Sequence, residues 1–311
     1  DSERSRGLGD VYKRQIVTLS KLSKTGLALS IFSIIAGAVV RATGSGDGCG
    51  SSWPSCNGRV IPSLNSASEQ IEFSHRAISG LLLIVTLAIF IKSFDVSVTS
   101  TQKKVINYLT FFVLLEALIG AVIVLYEWVG MNSSGPRVAA VPLHLVNTFG
   151  LLAMYTIIFK LTQNPEIKIS NLMDRNFKII TFLFVLTGAT GSIAALADVL
   201  FPSESFIAGL VEDFDSTSEL LTRLRLLHPI ASTILSFVLF RESRRLEENF
   251  NIRTSQIRIL VIVGVTLGVL NVLININIFF SVVHLLVADL LWITYIYISM
   301  EKTRDKSITT K

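Results

Sequence analysis

Eight apolar segments, most close to the roughly 20 residues that cross a bilayer as helix, leave this 311-residue chain few ways to fold. They run at about 25–40, 72–92, 105–126, 140–161, 177–198, 224–240, 257–279 and 281–299. In lipid the backbone must satisfy its own polar groups, so each segment is expected to be an α-helix. The 257–299 stretch is too long for one span; Asn275, Asn277 and Phe279-Phe280-Ser281 mark a short turn inside it. Half the residues are hydrophobic and only 16% are charged, too few to cover a soluble protein of this length. The expected fold class is therefore an all-α integral membrane protein with eight transmembrane helices.

The basic residues sort by loop. The N-terminal stretch, 92–104, 160–178, 241–258 and the tail carry the lysines, among them Lys21, Lys24, Lys103, Lys104, Lys168, Lys178, Lys302 and Lys306. The alternate loops have no lysine and only Arg41, Arg59, Arg76, Arg137, Arg223 and Arg225. The positive-inside rule then places both termini in the cytoplasm and loops 41–70 and 199–222 outside the plasma membrane. The net charge of +5 reads as this topology signal rather than as a nucleic-acid face. Residues 1–15 are polar and aperiodic, either a cytosolic tail or foreign to the mature gene, and carry no fold argument. Lys21, Lys24 and Ala36-Gly37-Ala38 imitate a signal peptide. An uncleaved helix is the better reading, because cleavage would break a repeat.

That repeat relates the two halves of the chain. His75-Arg76-Ala77-Ile78-Ser79 parallels His228-Pro229-Ile230-Ala231-Ser232, and His144-Leu145 parallels His284-Leu285. The reading is two tandem, pseudo-symmetric four-helix bundles. A tail (1–21) precedes an N-terminal half (22–162); a linker (163–175) leads to a C-terminal half (176–300) and a tail (301–311).

All four histidines of the chain, His75, His144, His228 and His284, fall on even-numbered segments within the first turns of each helix. A lone membrane histidine is often an interhelical hydrogen bond or proton relay. Four at repeat-equivalent positions, two per half, instead suit the axial positions of two haem irons. Zinc fits less well, since neither half offers a third strong ligand.

The halves differ at one place. Glu72 stands three residues before His75, where Arg225 stands before His228. An acid beside one haem can move protons or stabilise positive charge, which makes Glu72 the candidate catalytic group, although an acid there also favours the helix dipole. Arg41, Arg76, Arg137 and Arg225 are candidate partners of haem propionates. Cys49 and Cys56 share an outer loop, where they can form a disulfide that fixes the loop or acts as a redox pair. Glu116, Asn271 and Asp289 lie within helices; interhelical hydrogen bonding suits Asn271, and the other two remain open. No phosphate-binding glycine loop, Ser/His/Asp set or prenyltransferase diphosphate motif occurs.

Val40-Arg41-Ala42-Thr43-Gly44-Ser45-Gly46, Cys49…Trp53-Pro54…Cys56, Glu72-Phe73-Ser74-His75-Arg76, His144-Leu145, His228-Pro229 and His284-Leu285 together resemble the bacterial haem A synthase family over about 22–300. The resemblance implies oxidation of the C8 methyl of haem O to a formyl group, giving haem A for terminal oxidases. It implies haem b as cofactor between His228 and His284. Haem O is then the substrate between His75 and His144, with Glu72 as the family's essential acid. Cys49 and Cys56 match a pair that some members carry. The second pair of some members is missing, because 199–222 has no cysteine. The implied partners are haem O, haem O synthase, an electron donor and the lipid bilayer, with no nucleic acid; a homo-oligomer is compatible. Two other readings share the histidines. One is a di-haem cytochrome b that only transfers electrons, which leaves the contrast between Glu72 and Arg225 unexplained. The other is a repeat-built transporter with histidine proton relays.

Overall fold

The computed structural model describes residues 2–63 and 65–303, with side chains from Thr18 onward. Arg304 and Lys306, and the side chains of Lys13 and Arg14, which also enter the charge pattern, lie outside the described residues. Ten α-helices are described: α1 (Ser2–Ala42), α2 (Ala67–Lys92), α3 (Ser100–Leu125), α4 (Gly135–Gln163), α5 (Arg175–Leu200), α6 (Phe206–Phe214), α7 (Leu220–Leu224), α8 (Leu227–Phe250), α9 (Ser255–Leu273) and α10 (Ile278–Ser299). Eight spans among them are long and apolar enough to cross a membrane, α7 and α8 together forming one. The chain is thus an all-α, multi-pass membrane protein, as its apolar segments require.

Most helices begin several residues before the apolar run that marks them, because polar caps open them. Ser66 accepts from the Glu69 amide at α2, and Asp174 from the Phe177 amide at α5. Thr99 and Gln102 form a reciprocal capping box at α3. Hydropathy does not see these turns, whose value lies in satisfying orphan N–H groups. Pro229 sits in the first turn of α8, where its missing N–H would have had no helical partner. The turn inside 257–299 falls at Ile274–Asn277: Asn275 and Ile276 take positive φ, and Asn277 caps the Phe279 amide. The 199–222 loop is more ordered than its composition suggests, since α6 and the start of α7 occupy it.

Packing runs α1 on α2, α2 on α3, α3 on α4 and α4 back on α1; in the second half α5 packs on α8, α8 on α9 and α9 on α10. Helix α4 is the hinge of the molecule, since it also packs on α5 and α10. Where α1 meets α4, Gly26 leaves room for the Tyr155 ring, whose hydroxyl hydrogen-bonds Thr86 of α2 at 2.6 Å. Where α4, α5 and α10 meet, Phe149, Phe184, Trp292 and Tyr295 form an aromatic cluster. Trp292 Nε1 donates to Phe149 O at 2.9 Å, so the indole N–H is satisfied where these helices meet. At the end holding the termini, Lys160 pairs with Glu301 and Lys302 with Asp174 at 3.0 Å. The histidines lie toward the opposite end, near the long loops.

Candidate functional site

Each histidine rests on a glycine of the membrane span that precedes its own in the chain. His75 of α2 lies over Gly37 of α1, and His144 of α4 over Gly120 of α3. His228 of α8 lies over Gly191 of α5, and His284 of α10 over Gly268 of α9. A Cβ added to these glycines would stand 3.1, 3.7, 2.9 and 3.1 Å from the respective Cε1 atoms. The seat is tight at Gly191 and open at Gly120. Nothing in the hydropathy pattern marks these glycines as seats for the histidines.

The glycine also exposes a carbonyl. His228 Nδ1 lies 3.1 Å from Thr187 O and His284 Nδ1 lies 3.0 Å from Gly264 O, each carbonyl four residues before the seat glycine. A carbonyl can only accept, so Nδ1 carries the proton in both rings and Nε2 keeps its lone pair. The two rings face each other nearly at right angles with centroids 6.1 Å apart. His75 and His144 also lie within electrostatic reach of each other, but neither Nδ1 has a formed hydrogen bond. Glu116 Oε1 stands 3.2 Å from His144 Nδ1.

Glu72 is buried in the second turn of α2. Its Oε2 accepts the Cys49 amide at 2.8 Å, and its Oε1 accepts from both Nε (3.1 Å) and a terminal nitrogen of Arg76. Arg76 also donates to Ser52 O and Ser55 O at 2.6 and 2.7 Å. Cys49 and Cys56 are joined by a disulfide and fully buried. One turn earlier Glu69, unremarked in the sequence, accepts from Arg59, Asn57 and the Ser63 amide. Two acids one turn apart thus fasten the whole loop onto the start of α2. Gly48 makes this possible: a Cβ there would come within 2.5 Å of the Ser68 backbone.

The four arginines separate by the company they keep. Arg76 is used by Glu72 and the loop. Arg225 is surrounded by Asp213 (2.8 Å), Asp198 (3.2 Å) and Glu212 (3.5 Å), with Ser203 beside them. Burial pushes the Asp213 carboxyl upward, against the pull of Arg225. Arg137 is buried and donates to Gly130 O and Asn132 O, while its Nε is unpartnered. Arg41 lies one helical turn beyond Gly37, makes no ion pair among the described residues, and its buried Nε has no acceptor. Asp289 is fully buried with both carboxyl oxygens unpartnered, and Asn271 donates to Ser281 Oγ at 3.0 Å.

Fold and site define a multi-pass helical membrane protein whose four histidines are each seated on a glycine of a neighbouring span, with a disulfide-closed loop fastened to the start of α2. The family model COX15-CtaA, described as cytochrome oxidase assembly protein, matches residues 63–296. The chain belongs to this family. A protein named heme A synthase from Staphylococcus haemolyticus is 29% identical over 306 residues, covering 94% of this chain and 97% of that relative. One of the same name from Exiguobacterium sp. is 33% identical over 161 residues, about half of each chain (50% and 52%). A protein named protoheme IX farnesyltransferase from Thermus thermophilus is 31% identical over 297 residues, 88% of this chain. The present chain spans about half the length of that relative, 46%.

Proposed function

We propose that this chain is a haem A synthase, which oxidises the C8 methyl of haem O to a formyl group in two steps. Each hydroxylation removes two electrons from the same carbon, with the oxygen atom and the electron partner coming from outside the chain, and the resulting geminal diol loses water to the aldehyde. The observation that carries this reading is the paired seating of four histidines, two in each half. Among the described residues no group of three or more His, Cys, Asp or Glu could hold a bare metal ion. A haem brings four nitrogens of its own and asks the protein for two. The 6.1 Å between the His228 and His284 rings suits one metal ion between two imidazoles, at metal–nitrogen bonds of about 2 Å.

His228 and His284 would hold a haem b cofactor, which supplies one-electron transfer to the reacting half. Their Nδ1–H groups are committed to Thr187 and Gly264, which fixes the tautomer and leaves Nε2 free to ligate. His75 and His144, in the N-terminal half, would hold substrate haem O. Glu72 lies on the same helix as His75 and would stabilise positive charge or move a proton there. Arg41 and Arg137, each with an unpartnered buried Nε, are the best placed of the four arginines to meet propionates.

Loop charges support a plasma-membrane location with both termini cytoplasmic. A haem O synthase is a natural partner. The Thermus relative named protoheme IX farnesyltransferase carries a region like 88% of this chain within a longer protein, which supports the step that makes haem O and the step that uses it sharing one polypeptide. Mass identification of haems extracted from cells with and without this chain, in a host that makes haem O, tests the proposal. Haem A that appears only with the chain is the expected result. Bound haem b with haem O left unconverted would overturn the synthase reading in favour of a cytochrome that only transfers electrons.

A further inference from the structure

Glu116 departs from the pattern of the two C-terminal histidine seats. In α5 and α9 the residue four before the seat glycine offers its backbone carbonyl to the histidine, Thr187 to His228 and Gly264 to His284. The residue four before Gly120 is Glu116, and what it brings to His144 is a carboxylate, Oε1 at 3.2 Å from Nδ1. The contact is at ion-pair distance without a formed hydrogen bond, and His144 Nδ1 has no other partner. The carboxylate is itself held. Asn147, buried and one turn after His144 on the same helix, donates to Glu116 Oε2 at 2.6 Å and to Phe112 O at 2.9 Å. Gly120 is also the loosest of the four seats, 3.7 Å from Cε1, so the ring has room to turn toward the carboxylate.

We propose that Glu116, held by Asn147, is a positioning residue that accepts the Nδ1 proton of His144 and makes this imidazole the most electron-donating of the four. A carboxylate behind a ligating histidine raises the basicity of its Nε2, whereas a neutral backbone carbonyl does so less. A more basic axial ligand stabilises ferric over ferrous iron and lowers the potential of the haem it holds. The two halves therefore differ in ligand strength as well as in the acid beside His75: the haem between His228 and His284 has two neutral carbonyls behind its ligands. This inference rests on the reading of His144 as an axial ligand and adds to it a cause for unequal potentials.

The test uses the full-length protein in detergent with protohaem IX added to fill both halves. Redox titration is followed optically, with Glu116→Gln, Glu116→Ala and His144→Ala beside the parent chain. Gln keeps the shape and one acceptor oxygen, enough for either Nδ1 or Asn147, but removes the charge. In Glu116→Gln the potential of the His144-dependent haem should rise by about 59 mV, which is a tenfold loss of ferric preference for a one-electron couple. The other haem should be unmoved, which also reports that the variant has folded. A potential unchanged in Glu116→Gln, with only Glu116→Ala losing stability, would make Glu116 a strut between α3 and α4 and overturn the proposal. A low-spin spectrum of both haems that survives His144→Ala would instead remove His144 as a ligand, and the inference would fall with that reading.

Discussion

The backbone amide of Cys49 donates a 2.8 Å hydrogen bond to the Glu72 carboxylate, so the disulfide loop and the acid of α2 form one unit. Arg76 closes it from the other side, binding Glu72 and the carbonyls of Ser52 and Ser55. The disulfide therefore holds the loop in the place where it supplies a donor to the acid, beyond whatever electrons it exchanges.

Opening that disulfide should loosen the unit. The closed loop is short, and chain-entropy arguments give its cross-link roughly 2–3 kcal/mol. In Cys49→Ser/Cys56→Ser, thermal unfolding should shift down and lose its sensitivity to reductant, while the haem proposed for His228 and His284 should stay bound. An unchanged melting temperature would mean that Glu69, Glu72 and Arg76 hold the loop unaided.

Glu72→Gln tests the acid more directly. Gln preserves the shape and can still accept from Cys49, so haem content should match the parent chain. Conversion should stop at haem O or at the hydroxylated stage, with a loss of about 100-fold or more if the charge matters to proton movement. Haem A output at the parent level, measured by mass in extracted haems, would take Glu72 out of the reaction.

Much of the framework was legible because lipid imposes a strong pattern. Eight apolar runs become eight spans, and Asn275 and Asn277 do mark the turn between α9 and α10. The histidines stood out because the chain has only four. What could not be read is what faces them. Gly37, Gly120, Gly191 and Gly268 are four among 19 glycines, and only tertiary packing turns them into seats. Glu116 looked like any polar residue in a span until α3 and α4 brought it to His144 and Asn147. The surroundings of Arg225 were equally hidden, since Asp198 and Asp213 reach it from α5 and α6, and no spacing rule links them.

The glycine seats make a graded prediction. Ala at Gly191 would place a methyl 2.9 Å from His228 Cε1 and 3.0 Å from Nδ1, so the ring must leave its bond to Thr187. Loss of that second contact should weaken haem retention by roughly 10- to 100-fold. Gly268→Ala and Gly37→Ala, both at 3.1 Å, should do less, and Gly120→Ala at 3.7 Å should be nearly silent. Haem-to-protein ratios after dialysis would rank the four; equal effects at Gly191 and Gly120 would show that contact with the ring is not what matters.

Arg41 and Arg225 should fail in different ways when each is changed to Gln. Arg225 is a structural hub: removing it leaves Asp198 and Asp213 partly buried without their cation, and breaking such a pair costs on the order of 3–5 kcal/mol at full burial. Its exposed side should reduce that figure, yet Arg225→Gln ought to lower the melting temperature whether or not haem is present. Arg41 makes no direct ion pair among the described residues, and its guanidinium carries an unpartnered buried Nε. Arg41→Gln should therefore leave the haem-free protein as stable as before or more so, while haem retention falls because a propionate loses its cation. Thermal melts of haem-free and haem-loaded protein, run side by side on both variants, separate the two roles. A drop in the haem-free melting temperature of Arg41→Gln as large as that of Arg225→Gln would make Arg41 a structural cation and leave Arg137 as the remaining propionate partner.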